Sequence, residues 1–171
     1  EAVVCLGAAA EKFSYLKGFD QIQSQLPQGQ VDLCICLDCS DPERLGEFKC
    51  CLEEAKESIC IDHHITNQGY AMEQVVDADA SSTCQVLFTQ MDEEKISKAV
   101  AECIYTGIIH DTGVFRYSNT SRKTMEIAEK MMEKGIDFSS IIDDSFYKKT
   151  YLQSQIMGRA LFESVSFLNK K

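Results

Sequence analysis

Histidine is scarce in this chain, with three in 171 residues: His63, His64 and His110. Imidazole chemistry therefore has few places to go, and two of the three stand side by side. No apolar run approaches the roughly 18 residues that a membrane-spanning helix needs, so none is expected. The start of the chain has no basic segment leading into an apolar one, so secretion is not indicated. A basic run is missing too: 17 Lys and Arg stand against 27 Asp and Glu, a formal net charge of −10. Long nucleic acids are held by many cation–phosphate contacts, so a polymer tracked along its backbone is an unsuitable substrate. Neither an internal repeat nor a low-complexity segment is evident.

What is present fits one compact unit. A chain of this length suits a single hydrophobic core, and 44% hydrophobic with 9% aromatic residues is ordinary for a globular protein. Nine cysteines form an odd count. Cys34, Cys36, Cys60 and Cys103 lie inside apolar segments, which reads as reduced, buried thiols and makes the cytoplasm the expected compartment. Cys36 and Cys39 form a C-x-x-C, but Cys36 sits inside an expected strand, which argues against a zinc or redox pair.

Strands are expected at Ala2 to Leu6, at Leu33 to Leu37 (a continuous apolar run, read as buried on both faces) and at Ile59 to Ile61. Helices are expected from about Pro42 to Lys56 and from a Ser81 or Ser82 cap to about Met91. Another is expected along Ile96, Ala99, Val100, Cys103, Ile104 and Gly107. The stripe of Ile127, Ala128, Met131 and Met132 ends at Gly135. Leu152, Ile156 and Ala160 repeat on a last helix, whose apolar stripe is expected to lie exposed where its domain partner is absent. Strands alternating with helices predict an α/β fold, a doubly wound, mostly parallel sheet with flanking helices.

Asp62-His63-His64 closes the Ser58–Ile61 run, where a β-branched strand ends. In open α/β sheets chemistry collects beyond the carboxyl ends of strands, and carboxylate with neutral imidazole suits a divalent metal of the manganese, iron, cobalt or zinc type. The plain alternative is a buried His pair bonded to backbone. Two further acids end apolar segments: Asp38 after Leu33–Leu37, and Asp111 in Thr106-Gly107-Ile108-Ile109-His110-Asp111-Thr112-Gly113. Any one of them could be a helix cap or turn former; three with a His pair favour a metal or phosphate site.

The order of Asp38, Asp62-His63-His64 and Gly107–Gly113 with Phe115-Arg116-Tyr117 resembles the DHH phosphoesterase family. Within it, the chain is similar to the NrnA-like branch, bacterial oligoribonucleases and pAp phosphatases. Asn67 and Asp79-Ala80-Ser81-Ser82-Thr83-Cys84 add to that likeness. Two parts of the family pattern are missing: the N-terminal His-x-x-x-Asp-x-Asp motif and the C-terminal substrate-binding domain. The resemblance therefore implies an incomplete DHH domain over residues 1–150, with 151–171 as a helical linker toward an absent domain.

It also implies roles. Asp38 matches the carboxylate that bridges two metals, and His63 and Asp111 match the other protein ligands of the second ion. His64 matches the His that contacts the scissile phosphate or aids the leaving group, with Asp62 orienting a ring from behind. Arg116 could fork onto a phosphate, and Asn67 is expected to hold its loop or approach substrate. His110 is expected behind the ligands or facing solvent. The implied cofactor is Mn²⁺, two ions in a complete site, with Mg²⁺ or Co²⁺ as substitutes.

The implied function is hydrolysis of short oligoribonucleotides or 3′-phosphoadenosine 5′-phosphate (pAp) by a metal-activated water. Alternatives are cleavage of cyclic dinucleotides or their linear products, pyrophosphate or polyphosphate hydrolysis, and a non-catalytic nucleotide-binding module. A partner chain or a second copy, as a homodimer, could cover the gap left by the missing strand.

Overall fold

The computed structural model describes residues 2–166. Its centre is a parallel sheet of three strands in the order β1 (Leu33–Leu37), β2 (Glu57–Asp62), β3 (Glu73–Val76). Leu33 pairs with Glu57 and Leu37 with Ile61; Ile59 pairs with Glu73 and Asp62 with Val76. With all three strands parallel, their carboxyl ends share one edge. An α/β fold with a parallel sheet and flanking helices is what the alternating pattern predicts.

Six α-helices accompany the sheet among the described residues: α1 (Lys49–Glu54), α2 (Thr83–Gln90), α3 (Lys98–Asp111), α4 (Arg122–Glu133), α5 (Phe138–Ile142) and α6 (Tyr151–Glu163). α2 rests on the sheet, where Ile61, Ala80 and Val86 form a small core with Ile59, Val75 and Leu87 against it. Its other neighbours are α3 and α4. There Ile104, Tyr105, Ile108, Ile109, Ile127, Ala128 and Met131 form the larger core with Ile96, Ala101, Ile136 and Ile141. Each buried Ile or Met side chain there contributes about 1.5–3 kcal/mol, so the α3–α4 pair is a firm base for α2, which in turn rests on the sheet. No helix among the described residues is long and apolar enough to cross a membrane.

Several expectations change. β1 is not buried on both faces: it alternates, with Cys36 buried while Leu33, Ile35 and Leu37 stay about half exposed. It is an edge strand, and the period of two turns every second side chain to an uncovered side. The expected helix from Pro42 to Lys56 breaks in two. A 3-10 stretch, Pro42–Phe48, precedes α1, and Gly46 at φ 57° and ψ −127° makes the kink. Ala2 to Leu6 forms no strand of the sheet; Cys5 makes a single parallel bridge to Gln23. α6 buries none of its residues, so Leu152 and Ile156 are exposed as expected. Residues 167–171 of the expected linker lie outside the described residues.

Candidate metal centre

Asp38 directly follows β1 and adopts φ 57°. A non-glycine residue in the left-handed region costs about 1–3 kcal/mol, with Asp among those that enter it most readily, and such conformations gather at functional sites. Its N–H donates to the Ile61 carbonyl at 3.1 Å, and the Thr83 hydroxyl donates to its Oδ1 at 2.7 Å. Thr83 is the first residue of α2, whose Ser82 cap fixes the start of the helix. Sheet edge and helix start thus hold one carboxylate between them.

Asp62 ends β2 and is fully buried. Its Oδ1 accepts from the His63 N–H at 2.8 Å and from His64 Nδ1 at 2.7 Å, while Oδ2 accepts from Asn67 Nδ2 at 2.7 Å. Burial alone would push this carboxyl up. The hydrogen bonds from Asn67, His64 and the His63 backbone outweigh it and hold Asp62 below the usual carboxylate range. Asp62 is an anion that orients; it is not free to bind anything else.

The two imidazoles are set apart by their partners. His63 Nδ1 lies 3.2 Å from the Ala80 carbonyl, which can only accept. That nitrogen therefore carries the proton, and in a neutral ring Nε2 is left as a lone pair. Nε2 is 3.7 Å from Asp38 Oδ1 and 3.9 Å from Asp111 Oδ2. The His64 nitrogen 3.8 Å from Asp38 is Nδ1, the one already donating to Asp62. Donor atoms of Asp38, His63 and His64 all lie within 4.8 Å of one another, but by this proton count His63 is the imidazole suited to a cation.

Asp111 arrives as the last residue of α3. The turn after it is unusual, with Gly113, Val114 and Phe115 all at positive φ. Thr112 ties that turn together, donating to the Ile108 carbonyl at 2.7 Å and accepting from the Phe115 N–H at 3.0 Å. Asn119 Nδ2 bridges the carbonyls of Ser81 and Asp111 at 3.0 and 3.1 Å, joining the α2 approach to the α3 end. Burial pushes the Asp111 carboxyl up and the Asp38 charge adds to that, while His63 and His64 oppose it. Among the described residues no Lys or Arg pairs with Asp38, Asp62 or Asp111.

The donor set fits a divalent cation. Distances of 3.7 and 3.9 Å are too long for hydrogen bonds. Ligands at ~2.0–2.2 Å from one first-row ion lie about 3–4 Å apart, a spacing His63 keeps with each carboxylate. The group whose donor atoms all lie within 4.8 Å of one another is Asp38, His63 and His64, with Asp111 joined to it through His63. Two carboxylates without a cationic partner, facing a bare imidazole nitrogen, supply the charge and donor type that such an ion takes.

Of the residues singled out in the sequence, Asp38, His63, His64, Asp62 and Asp111 come together. Arg116 is exposed; among the described residues its backbone N–H donates to the Thr112 carbonyl and its guanidinium meets no partner. Asn67, expected to hold its loop or approach substrate, uses both polar atoms inside the protein: Nδ2 on Asp62 and Oδ1 accepting from Gly69. His110 neither backs the ligands nor faces solvent. Its ring packs against Phe13 and Phe146 and bonds Ser145 at 3.2 Å. Thr83, Asn119 and the Ala80 carbonyl were not singled out; Thr83 and Ala80 at least lie in the Asp79–Cys84 segment that carries the family likeness.

The chain is 25% identical over 169 residues to the bifunctional oligoribonuclease and PAP phosphatase NrnA of Bacillus subtilis, covering 96% of this chain and 52% of that protein. It is 28% identical over 140 residues to the protein of the same name from Thermus thermophilus, covering 80% and 41%. The chain thus spans about half the length of the curated relatives it matches. In fold it is similar to the crystal structure of an exopolyphosphatase-related protein from Bacteroides fragilis. That likeness has a TM-score of 0.84 at 23% identity, over 96% of this chain and 53% of the other. Residues 2–108 match the DHH family, N-terminal domain, a stretch that holds Asp38, Asp62, His63 and His64 and stops just short of Asp111. The chain belongs to the DHH family.

Proposed function

We propose that this chain carries the catalytic carboxylates and imidazoles of a metal-dependent phosphoesterase acting on short nucleotides, either short oligoribonucleotides or pAp. The observation that carries this reading is the convergence of Asp38 Oδ1 and Asp111 Oδ2 on the bare Nε2 of His63. Mn²⁺ is the ion we assign, because a mixed carboxylate and imidazole set suits it, with Mg²⁺ or Co²⁺ as substitutes. A divalent ion bound there would acidify a water and neutralise the reacting phosphate oxygens.

The chain's own residues do the rest. Asp38, held by Thr83, and His63, held by Ala80, fix the position of the reacting group. Asp62 keeps the Nδ1 proton of His64 in place, so the proton that His64 hands to the departing alcohol oxygen, as its bond to phosphorus breaks, is the second one, carried on Nε2 of the doubly protonated ring. Asn67 and the His63 N–H hold Asp62, and so act on His64 at one remove. Short substrates agree with the net charge of −10 and with a site that has no cationic side chain in contact. The relatives' names, oligoribonuclease and PAP phosphatase, point the same way. We place residues 1–150 in the DHH domain and leave Arg116 as a phosphate contact to be tested.

The test is Mn²⁺-dependent release of nucleotide from a diribonucleotide and of phosphate from pAp, using the product of the complete gene beside its Asp38→Ala variant. Metal-dependent turnover lost in the variant supports the reading. No turnover with metal saturating, or full turnover by Asp38→Ala, overturns it.

A further inference from the structure

A groove of about 330 Å³ opens beside His64. One wall is the loop after β2, with Ile65, Asn67 and Gly69; the other is Gln74 and Val76 of β3 and Ala78 beyond it. No Lys, Arg, Asp or Glu lines it, so a chain of phosphates would find nothing there to neutralise it. Its surface is instead mostly apolar. Ile65 is 88% exposed and Val76 40% exposed, both offering apolar area. The polar groups are amides and are mostly committed. Asn67 is tied to Asp62 and Gly69, and Gln74 Nε2 donates to the Ala71 carbonyl at 2.8 Å, which leaves Gln74 Oε1 as an acceptor.

We propose that this groove is the subsite for the sugar and base of the departing nucleoside. The proposal rests on the phosphoester reading above and sharpens it: the site selects esters whose leaving group is a nucleoside over inorganic polyphosphate. Three features carry it. The volume lies at the lower end of small-ligand pockets, enough for one nucleoside. The lining is neutral and partly apolar, with one free carbonyl to accept an N–H from a base. Its continuity with His64 sets the bound alcohol oxygen beside the imidazole that we assign to protonate it. A phosphate-rich leaving group has no such match.

The experiment fills the groove with Ala78→Trp, an exposed position where a large side chain needs no room in the core. In the complete gene product, KM is measured for a diribonucleotide, whose leaving group is a nucleoside, and for a nucleotide p-nitrophenyl ester, whose leaving group is not. The expected result is that the ratio of the two KM values shifts by about ten-fold or more against the diribonucleotide. Adenosine added to the wild-type protein should also move the amide NMR signals of Ile65, Gly69 and Val76. Hydrolysis of both esters with an unchanged KM ratio would overturn the subsite while leaving the phosphoesterase reading intact. If wild type hydrolyses neither ester, the phosphoesterase reading fails and the NMR signals decide. Movement supports a nucleoside site, and stillness overturns that too.

Discussion

Gly107→Ala is a substitution whose outcome follows from two distances. A Cβ built at Gly107 falls 2.2 Å from Cys84 Sγ and 3.0 Å from Cys84 Cβ. Ordinary contact is about 3.5–4.0 Å, so α3 must retreat from α2 by roughly 1.5 Å or the cysteine must find another place. Cys84 is part-buried and packs against the larger core as a neutral thiol, pushed up to about 12 by burial with the charges of Asp111 and Asp38 adding to it. Overpacking of this kind costs about 1–3 kcal/mol, and at this chain length each kcal/mol lowers Tm by roughly 2–4 °C. The effect should reach the metal centre as well. Gly107 lies one helical turn before Asp111, and Cys84 follows Thr83, which holds Asp38. Separating the helices therefore pulls the two carboxylates apart. Thermal melting and Mn²⁺ titration should both show the loss. Cys84→Ala removes the sulfur and should recover much of it in the Gly107→Ala background, although alone it leaves a void. Additive losses in the double variant, or a Gly107→Ala protein that melts like wild type, would refute the packing argument.

Asp38→Gly should abolish metal binding yet melt at or above the wild-type temperature, because glycine accepts φ 57° without strain and the variant removes a carboxylate facing Asp111. A melting point well below that of Asp38→Ala would contradict the strain. Asp62 is held below the usual carboxylate range, so it contributes stability above that range that is lost as pH falls through its folded-state value. Wild type should thus lose stability on acidification more steeply than Asp62→Asn, and parallel acid titrations of Tm would count against this.

The parts of the fold that were legible in the sequence are those set by local pattern. β1 and β2 stand out as apolar runs, α2 by its Ser81 or Ser82 cap, and α3 and α4 by their apolar stripes, with Ser97 and Ser121 found as caps only in the structure. β3 escapes because it is four residues long and opens with Glu73 and Gln74, which are exposed. The half-exposed face of β1 escapes for another reason: an apolar run does not say whether anything covers it. The site follows the same division. Asp38, Asp62, His63 and His64 are legible because each ends a strand. Thr83, Asn119 and the Ala80 carbonyl act through contacts between segments distant in the chain, as does the Ser145–His110 bond that turns His110 away from the ligands. Both imidazoles hold a proton on Nδ1, so what separates them is which nitrogen faces Asp38. For His63 that orientation depends on the distant Ala80 carbonyl, for His64 on its near neighbour Asp62.

The most direct test of the metal centre is a Mn²⁺ titration of the complete gene product followed by electron paramagnetic resonance, repeated for His63→Ala, Asp111→Asn and His64→Ala. The expected result is saturable binding in wild type, weakened far more by His63→Ala and Asp111→Asn than by His64→Ala. Absence of binding in wild type, or an affinity that depends on His64 more than on His63, would contradict the assignment of Asp38, His63 and Asp111 as the cation's ligands.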